Sequence, residues 1–353
     1  MIQRAVLALI LATLIGGCTG FGPAVIRYQQ ADYANALADA AKRQALLNIV
    51  KLRYADAPTF LGVNQLVAGY SLQGNVSLGT DLIEGGLRLP DDAQVGVGGV
   101  FSNNPTVTYT PVAGADYARM FLAPLAPTDL FGLLLAGVTP DLVIGLGLHS
   151  IGPFENEHTG SGDIIPAAPG FGEVLRLFLD LSRRGAVAIR LDLVDGRRVA
   201  RLRFAERPGE ERDPAERRLR ELLQLELTRD AFDLVYSLGA VGPGQIGIRT
   251  RSLVEVLGQL AADIEAPAAD VKAGRTYASV ASLHGPAVPQ ITIHNGLFEA
   301  RRAFVTVPYA ERWFWIDDRD FASKRVFTFV MMLFSLAQSV RPGQPPVITI
   351  PAG

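Results

Sequence analysis

The chain has 353 residues, 49% of them hydrophobic and 19% charged, with a formal net charge of −2 at neutral pH. That length allows two domains and a sizeable core, and so small a charge imbalance excludes a general attraction to nucleic acid or anionic lipid. The single cysteine, Cys18, excludes a disulfide framework and any cysteine metal site, so the fold must rest on its core.

The first eighteen residues, MIQRAVLALILATLIGGC, hold one basic residue, Arg4, then a mostly apolar run from Ala5 to Ile15 and two glycines before Cys18. That is the anatomy of a secretory signal. The apolar run is about eleven residues long, against the ~20 that a spanning helix requires. A signal that stops on the only cysteine resembles the lipobox of bacterial lipoproteins. The resemblance implies cleavage before Cys18, loss of residues 1–17, a diacylglycerol on the thiol and acylation of the new amine. Such a set of acyl chains exceeds the two signals that stable anchoring requires. Thr19 stands where an aspartate favours inner-membrane retention in enterobacterial lipoproteins. The expected location is therefore the outer membrane of a Gram-negative bacterium, on its periplasmic face.

Residues 18–31 read as a lipidated tether. From Asp32 to Tyr54, Ala34, Leu37, Ala38, Ala41, Ala45, Ile49 and Leu52 fall at helical spacing, which predicts an amphipathic helix with Lys42, Arg43, Lys51 and Arg53 available to solvent. Pro58 ends it. Residues 61–112 are glycine-rich, and their charges, Asp81, Glu84, Arg88, Asp91 and Asp92, all lie in the middle. On the near side Leu66, Ala68, Tyr70, Leu72, Gly74, Val76 and Leu78 form one row of a period-two pattern; Val95, Val97, Gly99 and Phe101 repeat it on the far side. Such alternation predicts long strands. Two uses are open. One is an antiparallel sheet packed on a domain; the other is a membrane-spanning hairpin of ~9–11 residues per strand, several copies of which would share one barrel.

From Ala115 the chain turns helical, with Thr128 or Asp129 placed to cap the stretch PTDLFGLLLAG. Leu142–Leu148 is an apolar run of unassigned state. The Gly/Pro-rich stretch 152–170 reads as a loop, and as the boundary between residues 32–151 and an α+β domain over 171–353. In that domain a helix runs to Gly185, and Asp195-Gly196 predicts a two-residue hairpin setting Val187 against Phe204, Ile189 against Leu202 and Leu191 against Ala200. The same register opposes Arg190 and Arg201, which is tolerable if the pair is solvated or met by an acid from another strand. A helix over Pro214–Leu227, strands at Phe232–Ser237 and Gln245–Thr250, and a helix boxed by Ser252 and Glu255 follow. Further strands are expected at Gln290–His294, Arg302–Pro308, Arg312–Ile316 and Val347–Ile350, with a buried helix opened by Asp320. The fold class is α+β: an N-terminal helix and Gly-rich antiparallel β region, then helices packed on an antiparallel or mixed sheet.

Candidate chemistry is sparse. His149 and His158 flank a stretch holding Glu155, Glu157 and Asp163, but without HExxH-like spacing a solvated loop is the expectation. His284 and His294 read as loop and strand-end residues. Trp313 and Trp315, followed by Asp317, Asp318 and Asp320, are the candidates for a pocket or interaction surface, although turn formation and helix capping account for Asp317 and Asp320. No GxSxG, SxxK, P-loop or dinucleotide fingerprint occurs, so no catalytic residue, cofactor or metal is expected.

The stretches LLNIVKLRYADAPTFL (46–61), PTVTYTPVAGADYARMFLAPLAP (105–127), IRTRSLVEVLGQLA (248–261) and WFWIDDRDFASKRVFTFVMMLFSL (313–336) resemble a family of proteobacterial outer-membrane or envelope lipoproteins. That family carries no established activity, so the resemblance implies a location only. The expectation is a non-enzymatic, lipid-anchored envelope protein, held to membrane lipid by acylated Cys18 and bound to a protein partner or to copies of itself. It would work as scaffold or accessory subunit of an outer-membrane assembly. The alternative is an oligomeric channel with strands 63–80 and 94–110 in a shared barrel; a periplasmic hydrolase is the second.

Overall fold

The computed structural model describes residues 22–67, 70–78, 81–83, 86–88, 95–103, 106–160, 163–205, 211–278, 290–339 and 347–349. Cys18 with its leader and His284 lie outside them. The chain divides into two compact units, one of residues 1–58 and 118–338, the other of 59–117 and 339–353. The divide does not fall at 152–170. That stretch carries strands and is tied back by the Ala168 amide, which donates to the Glu155 carbonyl at 2.9 Å.

The larger unit begins with helix α1 (Gly22–Arg53), which starts well before Asp32 and takes in most of the expected tether. Its 32 residues extend over about 48 Å at 1.5 Å each. The apolar spacing does not bury uniformly. Ala34, Ala38 and Ala41 are exposed, and burial starts at Ala45 and continues through Leu46, Ile49 and Val50. Alanine is the strongest helix former, so the first turns need no packed partner to stay helical.

The smaller unit is built from β1 (Leu61–Val67), β2 (Tyr70–Leu78), β3 (Asp81–Ile83), β4 (Gly86–Arg88), β5 (Val95–Asn103) and β6 (Thr106–Pro111). They pair as nested antiparallel ladders, β1 with β6, β2 with β5 and β3 with β4. The offset between partners is the same in the first two ladders, from Gln65–Thr108 to Leu78–Val95. The strand Val347–Thr349 lies parallel to β1 at Gln65–Val67.

The body of the larger unit is a six-stranded mixed sheet. Helices α2 (Pro127–Leu135) and α3 (Pro140–Gly147) lead into β7 (Leu148–Ile151), β8 (Phe154–Glu155), β9 (His158–Gly160) and β10 (Asp163–Ile165). Then come α4 (Pro169–Arg183), β11 (Val187–Val194), β12 (Arg197–Phe204), α5 (Pro214–Leu222), β13 (Ala231–Tyr236), β14 (Gln245–Thr250) and α6 (Leu253–Ala262). The strand order is β11-β12-β13-β14-β7-β8, with only β13–β14 parallel. Helix α2 packs on β11, β12 and β13, and α4 on β8 and β11. Phe131, Phe178, Leu202, Leu234 and Ile246 are buried in the apolar space they enclose.

The Asp195-Gly196 hairpin has the expected register, with φ of 49° and 77° at its two turn residues. Arg190 does oppose Arg201, and Arg201 is met by Asp233 of the neighbouring strand at 2.6 Å and by Asp192 at 3.3 Å. Other expectations give way. Pro127 occupies the start of α2 and Ala126 is its cap, so neither Thr128 nor Asp129 caps it. Leu142–Leu148 splits between α3 and β7, and α5 stops at Leu222, before Leu227, where Gln224 turns to a φ of 53°.

A second, three-stranded antiparallel sheet has the order β15-β17-β16, from β15 (His294–Gly296), β16 (Ala303–Tyr309) and β17 (Arg312–Asp317). Its first strand starts later than Gln290, because the Gln290 and Ile291 amides donate to the Asp263 carboxylate at 2.9 and 3.3 Å. Helix α1 packs on β16 and α6. The last helix, α7 (Phe321–Ser339), buries Phe327, Phe329, Val330 and Leu333. Among the described residues no helix is long and apolar enough to cross a membrane. The result is α+β, with helices on a mixed sheet.

Candidate functional site

Strand alternation places Phe314 and Ile316 of β17 in the core, leaving Trp313 and Trp315 half-buried on the other row. Trp315 pairs across the sheet with His294, their rings 5.7 Å apart, and His294 Nδ1 lies 2.9 Å from Glu265 Oε2. Gly296 admits the indole: an added Cβ would stand 3.1 Å from Trp315. The acids downstream do not converge on the tryptophans. Asp317 accepts from the Arg319 amide at 2.8 Å, and Asp318 pairs with Lys324 Nζ at 2.7 Å, which lowers its pKa. Asp320 accepts from the Ser323 amide and hydroxyl and so caps α7 as its position predicts. Burial pushes its pKa up, but these hydrogen bonds more than offset that, and the net shift is down. The Ser323 hydroxyl also accepts from the Thr292 amide at 2.8 Å. Each acid is occupied in a turn, an ion pair or a cap.

The histidine stretch is not a solvated loop. Strand β7 buries His149, and β9 brings the His158 ring to 4.7 Å from it. His149 Nδ1 stands 3.5 Å from Glu255 Oε1, while Glu255 boxes the start of α6 by accepting from the Ser252 amide at 2.7 Å. Burial raises the Glu255 pKa, but His149 and Ser252 outweigh it and bring it down to about 2. Glu157 accepts from Gln259, Asn156 donates to the Gly145 and Leu148 carbonyls, and Glu155 lies 3.7 Å from Arg249. Asp163 stands on β10, paired with Gly160 of β9. Among the described residues no group of three or more His, Cys, Asp or Glu could hold a metal ion.

Buried arginines went unforeseen, since spacing assigns charge to the surface. Arg53, expected at solvent, is 1% exposed. Its guanidinium donates to the Ala261 and Ala262 carbonyls at 3.1 and 3.0 Å and to the Tyr277 carbonyl at 2.7 Å, and it lies 3.8 Å over the Tyr277 ring. The end of α1 thus neutralises the carbonyl end of α6. Arg251 donates to the Leu146 and Glu157 carbonyls, its pKa pulled down to about 10 by burial against the pull of Glu255 and Glu157. Arg220 lies between Glu216 and Asp230, each at 2.8 Å, with the Phe204 ring 3.9 Å away.

In the smaller unit the backbone register defines two rows of the β2–β5 ribbon. Leu72 opposes Phe101, Val76 opposes Val97 and Leu78 opposes Val95; between them Ser71 opposes Ser102, Gln73 Val100, Asn75 Gly98 and Ser77 Gly96. Directly opposed residues share a face, so the ribbon has one apolar row and one of mostly small or polar residues. Compared with protein-family models, curated proteins and solved structures, the chain gives no match.

Proposed function

We propose that this chain is a lipid-anchored envelope protein that serves as a subunit of an outer-membrane assembly, without chemistry of its own. The carrying observation is the ribbon: β2 and β5 form a two-stranded ladder of nine paired positions with distinct apolar and polar rows. A two-stranded hairpin is marginal by itself in water, so such an element is built to be completed by something else. The eighteen-residue leader ending at Cys18 supports the location. Trp313, Trp315, Asp317, Asp318 and Asp320 remain a candidate interaction surface.

Fractionation of cells expressing the full chain tests the reading. The expected result is wild-type protein in the outer-membrane fraction carrying radiolabelled palmitate that Cys18→Ser lacks, with the wild-type mass in mild detergent exceeding that of one chain. Soluble wild-type protein, or a mass of a single chain, would overturn it.

A further inference from the structure

We infer that the β2–β5 ribbon is a membrane-spanning hairpin, and that copies of this chain join their ribbons edge to edge into one closed barrel. The apolar row faces lipid and the small, polar row faces a water-filled lumen. This rests on the assembly reading above and names both partners, a bilayer and a second copy of this chain.

Length is the first support. Nine residues per strand at about 3.3 Å extend roughly 30 Å, and a barrel tilt of about 40° leaves about 23 Å along the membrane normal, close to the ~25 Å apolar band of outer-membrane barrels. Charge is the second. No charged residue occurs over 61–80 or 93–114, while Asp81, Glu84, Arg88, Asp91 and Asp92 all fall in the stretch between them. The polar face of a sheet in water carries Lys, Arg, Glu and Asp, whereas this row is Ser71, Gln73, Asn75, Ser77, Gly96, Gly98, Ser102 and one apolar residue, Val100. A ribbon uncharged on both faces with a charged tip matches a hairpin that crosses lipid and ends in water.

Geometry selects the partner. The strands are equal in length and paired without slip, so the outer edge of β5 in one copy matches the outer edge of β2 in the next as an antiparallel ladder of the same nine positions. That contact is head-to-tail and generates a ring when the rotation closes. Closure leaves no strand edge in hydrocarbon, where an open edge is not tolerated. Two strands per copy and a minimum of about eight per barrel require about four or more copies. At the base, the parallel strand Val347–Thr349 already lies against β1 at Gln65–Val67, so pairing between copies starts beyond it, at Tyr70.

The test uses the full lipidated chain in mild detergent, with its mass read by mass photometry and its conductance read in planar bilayers under a salt gradient. Two substitutions separate the rows: Asn75→Arg on the polar row and Val76→Arg on the apolar row, with Val76→Leu as the conservative control. Expected are a discrete multimer of at least about four copies and steady conductance. Asn75→Arg keeps both and shifts the reversal potential towards anion selectivity. Val76→Arg loses conductance while far-UV circular dichroism of the body is retained, and Val76→Leu restores it. A membrane-bound monomer, a complex with a different protein, or equal responses of the two arginine variants would overturn the barrel. If a complex with a different protein remains attached through Cys18, the anchored-subunit reading stands and only the barrel falls; a membrane-bound monomer overturns both.

Discussion

Arg53 shows how one residue ties distant segments together. Replacing it with leucine leaves the Ala261, Ala262 and Tyr277 carbonyls buried without their donor, each at a cost of about 1–3 kcal/mol. We expect Arg53→Leu to lower the unfolding free energy by about 3–5 kcal/mol in urea titrations; a loss below about 1 kcal/mol would show that the contact does not stabilise the fold. Asp263 makes a prediction in pH. Burial raises its pKa from 3.8 to about 7, against the pull of the Ile291 and Gln290 amides, with Glu157 adding to the rise. The native state therefore holds this proton more tightly than the unfolded chain. Its contribution is full below about pH 4 and is lost as pH climbs to about 7, up to roughly 4 kcal/mol. Asp263→Asn keeps an acceptor for both amides but cannot ionise. Urea midpoints measured from pH 4 to 8 should lose this part of the slope in the variant, and parallel slopes would refute the assignment. Neither residue was legible beforehand. A helical-wheel pattern places Arg53 on the polar side, and only the packing of α1 against α6 puts it in the interior.

At the scale of elements, local chemistry was the better guide. Asp195-Gly196 set the β11–β12 register, and Ser252 with Glu255 set the start of α6, because turn and cap geometry depend on residues within one turn of each other. The Arg190–Arg201 opposition was visible in that register, whereas the acid that meets it was not, since Asp233 arrives from another strand, 32 residues beyond Arg201. Asp233→Asn should cost about 1–2 kcal/mol, and adding Arg190→Thr should recover part of it by removing the like charge. A double-mutant cycle checks this; strict additivity would mean that the two arginines do not interact. Misplaced ends have the same physical origin. The Asp263 carboxylate takes the amides that a strand at Gln290 would have used, and Pro127 pre-empts the cap of α2.

The whole molecule divides where contacts divide, and this sets a further expectation. The larger unit draws its core from residues on both sides of 59–117. Gly62 and Thr110 are paired, so their chain ends are adjacent and a short Asn-Gly turn can join them. Deleting 63–109 across such a turn should leave the melting midpoint of the body unchanged; a drop of several degrees would show that the ribbon supports it. By itself, the sequence determined the α+β class, the alternating strands, the Asp-Gly hairpin and the capping box, all of which follow from residues close together along the chain. It also carried the leader ending at Cys18 as an expectation of location. Tertiary structure alone decided that β1 pairs with β6 and β2 with β5, that His149 is buried beside Glu255, and that Arg53, Arg220 and Arg251 lie inside. Those facts depend on pairings between segments far apart in the chain, and composition and periodicity hold no record of which distant carbonyl or carboxylate a buried group will meet.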